Sequence, residues 1–310
     1  MRVVTQPEFG SPGVLEVVER ERPAPGYGEV LVKVEAASVN PVDVAVRAGV
    51  YPLLGEPPFV LGWDVAGVVE ATGLGISWPE PGDDVFGLVA FPAAAAAYAD
   101  YVLASPNELA RRPDTLSPAE AGALPLAGLT AWQALVGIAG VGPGQRVLVH
   151  RAAGGVGHLA VQVAKARGAH VVGTARAAKH ALLRDLGADE LVDYTVDDFA
   201  TAVRPVDVVF DLVGGDYAER SAAVLRPGGL LISAVGNNLG ITPERAAELG
   251  IRHAVVSVRP SAHDLAQLAD LTARGQLRVL IDEAVPLAEA AKAHEIVAGG
   301  RTTGKVVLVP

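Results

Sequence analysis

The stretch VLVHRAAGGVGHLAVQVAKARGAHVVGTAR, Val147 to Arg176, restricts the fold more than any other part of the chain. An apolar run of strand length meets a cluster of small residues, then a helical pattern closed by Gly168, then a second apolar run. That order reads as strand, turn, helix and strand, the crossover that two neighbouring parallel strands require. In Ala152-x-Gly154-x-x-Gly157 the small residues permit a tight turn, close backbone approach to a pyrophosphate, and close packing of the helix on the strand. Bare amides and the positive dipole end at the helix start attract phosphate. The turn therefore predicts dinucleotide binding through Ala152, Gly154, Gly155, Val156 and Gly157, with a merely structural glycine turn as the alternative.

The rest of the chain sets this unit in a larger frame. With 310 residues, two domains are expected. Over 124–259 the runs RVLVH, HVVGTA, ELVDY, VDVVFDLV, GLLISAVG and HAVVSV alternate with helical patterns and are too apolar for a one-sided sheet. This is an α/β pattern, and it predicts a doubly wound Rossmann domain with a parallel sheet covered on both faces. Residues 1–123 instead alternate short β-rich runs with glycine and proline, which predicts a compact barrel-like or sandwich domain. The segment 260–310 carries two helical patterns and the strands RVLIDEAVP and GKVVLVP, and is expected to complete the first domain.

Composition narrows the partners. The balance of 25 basic against 35 acidic residues leaves a net charge of −10, and the basic residues form no run, so nucleic acid is not an expected partner. Cysteine is absent, which removes disulfides, thiolate nucleophiles and thiolate metal ligands and suits a reducing cytoplasm. The N-terminal residues lack a signal-peptide core, and the uncharged stretch 123–142 is broken by glycines and a proline. It reads as a buried helix and turn, so no membrane association is expected. At the tip of the second strand no carboxylate awaits an unphosphorylated ribose; Thr174, Ala175, Arg176 and Lys179 stand there. Arg176 and Lys179 are candidates to neutralise a 2′-phosphate, which favours NADP over NAD. The alternative for Lys179 is a solvated helix face.

Seven segments carry a resemblance: NPVDVAVRAGVYP (40–52), LGWDVAGVVEATG (61–73), YADYVLA (98–104), LPLAGLTAWQAL (124–135), the glycine-turn unit, FDLVGG (210–215) and TTGKVVLV (302–309). In this order they resemble the zinc-independent quinone oxidoreductase branch, zeta-crystallin-like, of the medium-chain dehydrogenase/reductases. The resemblance covers essentially the whole chain. It implies a GroES-like catalytic domain interrupted by the Rossmann domain, NADPH as hydride donor, a cleft between the domains and a homodimer. Zinc-using relatives place a cysteine and a histidine where this chain has Asn40 and Trp63, so no metal is expected. Some relatives have tyrosine where Ala45 stands, and glycine is common at Arg151.

Without a metal the acceptor must take hydride when polarised by hydrogen bonds alone. A quinone, or an enone or alkenal, moves the resulting charge to a remote oxygen, which needs donors and no Lewis acid. Asn40 and Tyr51 are the candidate catalytic donors. The alternatives are a turn residue bonding its own backbone for Asn40 and a packing or rim residue for Tyr51. Asp43 and Arg47, four apart, are expected to form an intrahelical ion pair; Trp63 is expected to wall the pocket, and Arg47 is the candidate partner of Asp64. The resemblance places Thr130 near the nicotinamide and adds Lys305, while Val156, Tyr194, Val213, Gly214 and Ala234 sit at strand ends where open sheets bind ligands. An enoyl-thioester reductase and a non-catalytic NADPH-binding protein are the rival functions. HAVVSV is the candidate edge strand for pairing with a second copy.

Overall fold

The computed structural model describes residues 1–236 and 238–310, and the chain divides into two compact units. One holds Met1–Leu129, Arg259–Arg274 and Val279–Pro310; the other holds Thr130–Val258 and Gly275–Arg278.

The first unit is β-rich. Its larger sheet runs in the order Ile281–Pro286, Lys305–Val309, Val30–Val39, Asp64–Thr72, Asp84–Leu88, Leu109–Arg111, and Tyr101–Ala104 also pairs with Val30–Val39. Val30–Val39 is buried along nearly its whole length, as an apolar central strand must be. A smaller sheet joins Glu16–Glu19, Arg2–Gln6 and Phe59–Val60. Lys305–Val309 lies between Ile281–Pro286, which it meets in parallel, and Val30–Val39, which it meets antiparallel. The late strand thus completes the sheet begun by the early ones.

The second unit is a six-stranded sheet in the order Glu190–Val192, His170–Thr174, Arg146–Val149, Val206–Asp211, Leu225–Ser233, Arg252–Val255. Every pairing is parallel. Numbered along the chain this is the doubly wound arrangement that the alternating pattern predicts. Leu148, Val172, Val209 and Leu231 from the four inner strands join Phe199 and Ala218 in one buried cluster. The stretch 123–142 forms the helix Pro125–Trp132 and a widened turn at Gln133–Ile138. Among the described residues no helix is long and apolar enough to cross a membrane.

Candidate functional site

In the second unit, Arg146–Val149 pairs with His170–Thr174 on one side and Val206–Asp211 on the other. The winding direction reverses at its carboxyl end, the place where an open sheet leaves a crevice. The glycine turn lies there, and helix Gly157–Ala166 follows. A Cβ on Gly157 would lie 2.2 Å from the Arg151 carbonyl oxygen and 2.8 Å from Ala152 Cα, so only glycine seats the helix this closely. At Gly154 the nearest atom to such a Cβ is 3.3 Å away.

The turn is fixed from beneath. Ala152 N donates to the Thr174 carbonyl at 3.0 Å, and Arg151 N to Thr174 Oγ1 at 3.2 Å. His150 bridges Thr174 Oγ1 at 3.2 Å and Ser221 Oγ at 2.9 Å. Its ring is buried against Phe199 and Tyr217, at centroid distances of 4.6 and 5.1 Å. Burial, helped by the charge of Arg220, lowers the His150 pKa to about 3, so the imidazole is neutral.

Thr174 ends its strand, and Arg176 opens the short helix Ala177–Lys179. Arg176 Nε donates to Tyr194 Oη at 3.2 Å. Asp193 is the acid nearest in sequence to Tyr194, but its oxygens are occupied: Oδ2 accepts from Ala177 N at 2.9 Å, and Oδ1 accepts from Thr195 N at 3.0 Å and Thr195 Oγ1 at 2.7 Å. Val213 N and Gly214 N donate to Asp211 Oδ1 at 2.8 and 3.0 Å, and Ala234 N to the Asp211 carbonyl at 3.0 Å. Because the sheet is parallel, the turn residues, Thr174, Arg176, Lys179, Tyr194, Val213, Gly214 and Ala234 all fall along one edge. Thr130 is buried in helix Pro125–Trp132. Small residues at a helix start and a basic strand tip, with the nearby Asp193 carboxylate already committed, fit a phosphorylated dinucleotide.

The first unit holds a different kind of centre. Asn40 precedes helix Pro41–Arg47, with the rigid φ of Pro41 suited to the first helical position, and Asn40 N donates to Asp43 Oδ2 at 2.8 Å. The Asn40 side chain is spent inward: Nδ2 donates to Asp64 Oδ2 at 2.9 Å, and Oδ1 accepts from Lys305 Nζ. Asp64 also accepts from Ser38 Oγ and from Leu126 N, the latter at 2.7 Å, and lies 3.9 Å from Lys305 Nζ. All four side chains are buried. Burial raises the Asp64 pKa and lowers that of Lys305, each toward its neutral form, while the opposite charge of the other resists the shift. Asp43, buried as well, is pushed up to about 7, chiefly by loss of hydration.

These geometries correct several expectations. Asp43 makes no ion pair with Arg47; it caps Asn40, while Arg47 Nε donates to the Gly10 carbonyl at 3.1 Å. Lys305, and not Arg47, partners Asp64, because the closing strand carries it into the first unit's interior. The Lys305 ammonium lies against Asn40, and the Asn40 amide faces Asp64. Trp63 is wholly buried, stacked edge-on to Phe91 with Nε1 donating to the Ala93 carbonyl at 2.6 Å. Tyr51 is 42% exposed in the segment after the Asn40 helix. Ser38 went unnoticed in the sequence, although the two-residue strand period carries it to the same side as Asn40. His150 went unnoticed too; its signal is a polar ring ending an otherwise apolar strand beside the turn.

Known proteins resemble this chain over its full length. The alcohol dehydrogenase GroES-like domain family matches residues 26–114, and the zinc-binding dehydrogenase family matches residues 186–308. A quinone oxidoreductase of Pseudomonas aeruginosa is 35% identical, covering 97% of this chain and 97% of the relative. A 2-haloacrylate reductase of a Burkholderia species is 35% identical, covering 93% of this chain and 92% of the relative. The crystal structure of Escherichia coli quinone oxidoreductase complexed with NADPH superposes with a TM-score of 0.91 at 30% identity, covering 100% of both chains.

Proposed function

We propose, from the premise that this chain belongs to the quinone oxidoreductase family of the medium-chain dehydrogenase/reductases, that it passes hydride from NADPH to a quinone or an α,β-unsaturated carbonyl without a metal. It is an NAD(P)H oxidoreductase by that membership. The observation that carries the nucleotide half is the close-packed glycine turn at the switch point, with Arg176 and Lys179 at the neighbouring strand tip. In this reading Gly154, Gly155, Val156 and Gly157 hold the pyrophosphate. Arg176, Lys179 and Tyr194 hold the 2′-phosphate, and Thr130, Thr174, Val213, Gly214 and Ala234 border the remainder. NADPH, when bound, supplies the hydride.

The donor set supports the metal-free half. Where zinc-using relatives offer thiolate and imidazole, the Asn40 carbonyl oxygen already accepts the Lys305 ammonium, and the Trp63 ring nitrogen has only a proton to give. A conjugated acceptor suits such a site. Hydride adds to carbon, the electron pair displaced through the conjugated bonds arrives on oxygen, and that oxygen takes a hydrogen bond or proton. Tyr51 Oη is the candidate donor. Asn40 contributes as a positioning residue, locking Lys305 and Asp64 behind the helix it opens. A homodimer joined through strand Arg252–Val255, which has a neighbour on one side only among the described residues, belongs to the same reading.

The test follows the near-ultraviolet absorbance of NADPH with a panel of quinones, enones and alkenals, with and without a strong chelator. Turnover of at least one conjugated acceptor, undiminished by chelation, is expected. Silence across the panel overturns the substrate class, and loss on chelation overturns the metal-free chemistry.

A further inference from the structure

Arg151 holds a backbone conformation that an arginine rarely takes. Its φ is +51°, in the left-handed region where glycine is at ease and a β-carbon is not. A glycine here would be the less strained choice. The strained geometry is held in place: Arg151 N donates to Thr174 Oγ1, which is bonded to His150, which is bonded to Ser221. Such over-determined strain marks positions where the side chain serves a purpose.

The side chain turns back over the phosphate-binding turn. A Cβ built on Gly154 would lie 3.4 Å from Arg151 Cγ and 3.6 Å from Arg151 Nε. The guanidinium group is exposed, and among the described residues no carboxylate lies within ion-pair distance of it, in a chain of net charge −10 that pairs most of its other arginines. Arg176 stands at the tip of the strand to which the Arg151 backbone is pinned, and it too has no carboxylate partner among the described residues.

We infer that Arg151 is a phosphate-binding residue, a cation supplied by the turn itself to a phosphate of the dinucleotide. The inference rests on the nucleotide reading above and adds to it a residue that the glycine motif leaves out. Two phosphate groups qualify, the bridging pyrophosphate and the 2′-phosphate, and guanidinium offers either the same forked pair of N–H donors.

The test compares wild type with Arg151→Gly and Arg151→Lys by titration calorimetry against NADPH, NADH and 2′,5′-ADP, with melting of each ligand-free protein alongside. Arg151→Gly is expected to bind NADPH about tenfold more weakly, while its ligand-free Tm stays level or rises because glycine suits the positive φ. Unimpaired stability excludes a folding defect as the cause, and Arg151→Lys retains part of the affinity. A loss confined to NADPH and 2′,5′-ADP supports contact with the 2′-phosphate; an equal loss for NADH supports contact with the pyrophosphate. Equal affinity of wild type and Arg151→Gly for all three ligands overturns the inference. Failure of wild type itself to bind either coenzyme overturns the reading beneath it.

Discussion

Two groups of charges, one in each unit, are handled in opposite ways. In the β-rich unit one cluster is sealed inside: Asp43, Asp64 and Lys305 have almost no contact with water and answer to one another and to Asn40 and Ser38. In the parallel-sheet unit Arg151, Arg176 and the pair Arg278 and Asp185 stand at the surface, the side chains of that pair more than half exposed. Buried charge fixes a structure because any unmatched partner is expensive, whereas exposed charge leaves a surface ready for a ligand and contributes little to stability.

The comparison is most easily broken at Lys305. Replacing it with methionine strands the Asp64 carboxylate in a dry interior, and a loss of about 3 kcal/mol or more in unfolding free energy is expected in denaturant titration. The double variant with Asp64→Asn should regain most of it. A deficit below about 1 kcal/mol would mean that the pair is far better hydrated than its burial indicates.

The next effect appears as a pH dependence. Asp43 titrates near 7 in the folded protein and near 4 when unfolded, so between those values the folded state holds the extra proton. Stability therefore falls as pH rises through that window and is level above it. Buried His150 and His294, each lowered to about 3, act in the opposite sense, costing stability as pH falls below the ordinary histidine range. The difference between wild type and Asp43→Asn isolates the carboxylate, with an expected change on the order of 3 kcal/mol from pH 4 to 7. A flat difference would sink the claim that Asp43 is dry.

The smallest effect belongs to the second unit. Breaking the surface pair of Arg278 and Asp185 with Asp185→Asn is expected to cost about 0.5 kcal/mol, and the cost should vanish in concentrated salt. A salt-independent loss would place that pair with the buried ones.

What the sequence revealed and what it hid follow the same division. The parallel sheet was legible because each of its signals is local: an apolar run, a turn, a helical period, a capping glycine. The residues along its carboxyl edge could be named from their position after each run. The buried centre was not legible, because its bonds join residues far apart in the chain. Lys305 and Asn40 are 265 positions apart, and nothing near either announces the other. Local spacing suggested Arg47 for Asp43, and Arg47 was also the candidate partner of Asp64, yet helix capping satisfied one and a returning strand satisfied the other. Arg151 was visible as a departure from the usual glycine, but its direction across Gly154 is a matter of χ angles that no spacing rule supplies.

The position of Lys305–Val309 inside the first unit's large sheet carries one further consequence. During synthesis, every strand of the parallel sheet has left the ribosome before Lys305 is even added, whereas the β-rich unit still waits for its central neighbour. Until that strand arrives, a nascent chain holds Ala37–Val39 without the strand that pairs them and Asp64 without its cation. The unit bearing the earliest residues is therefore the last to close.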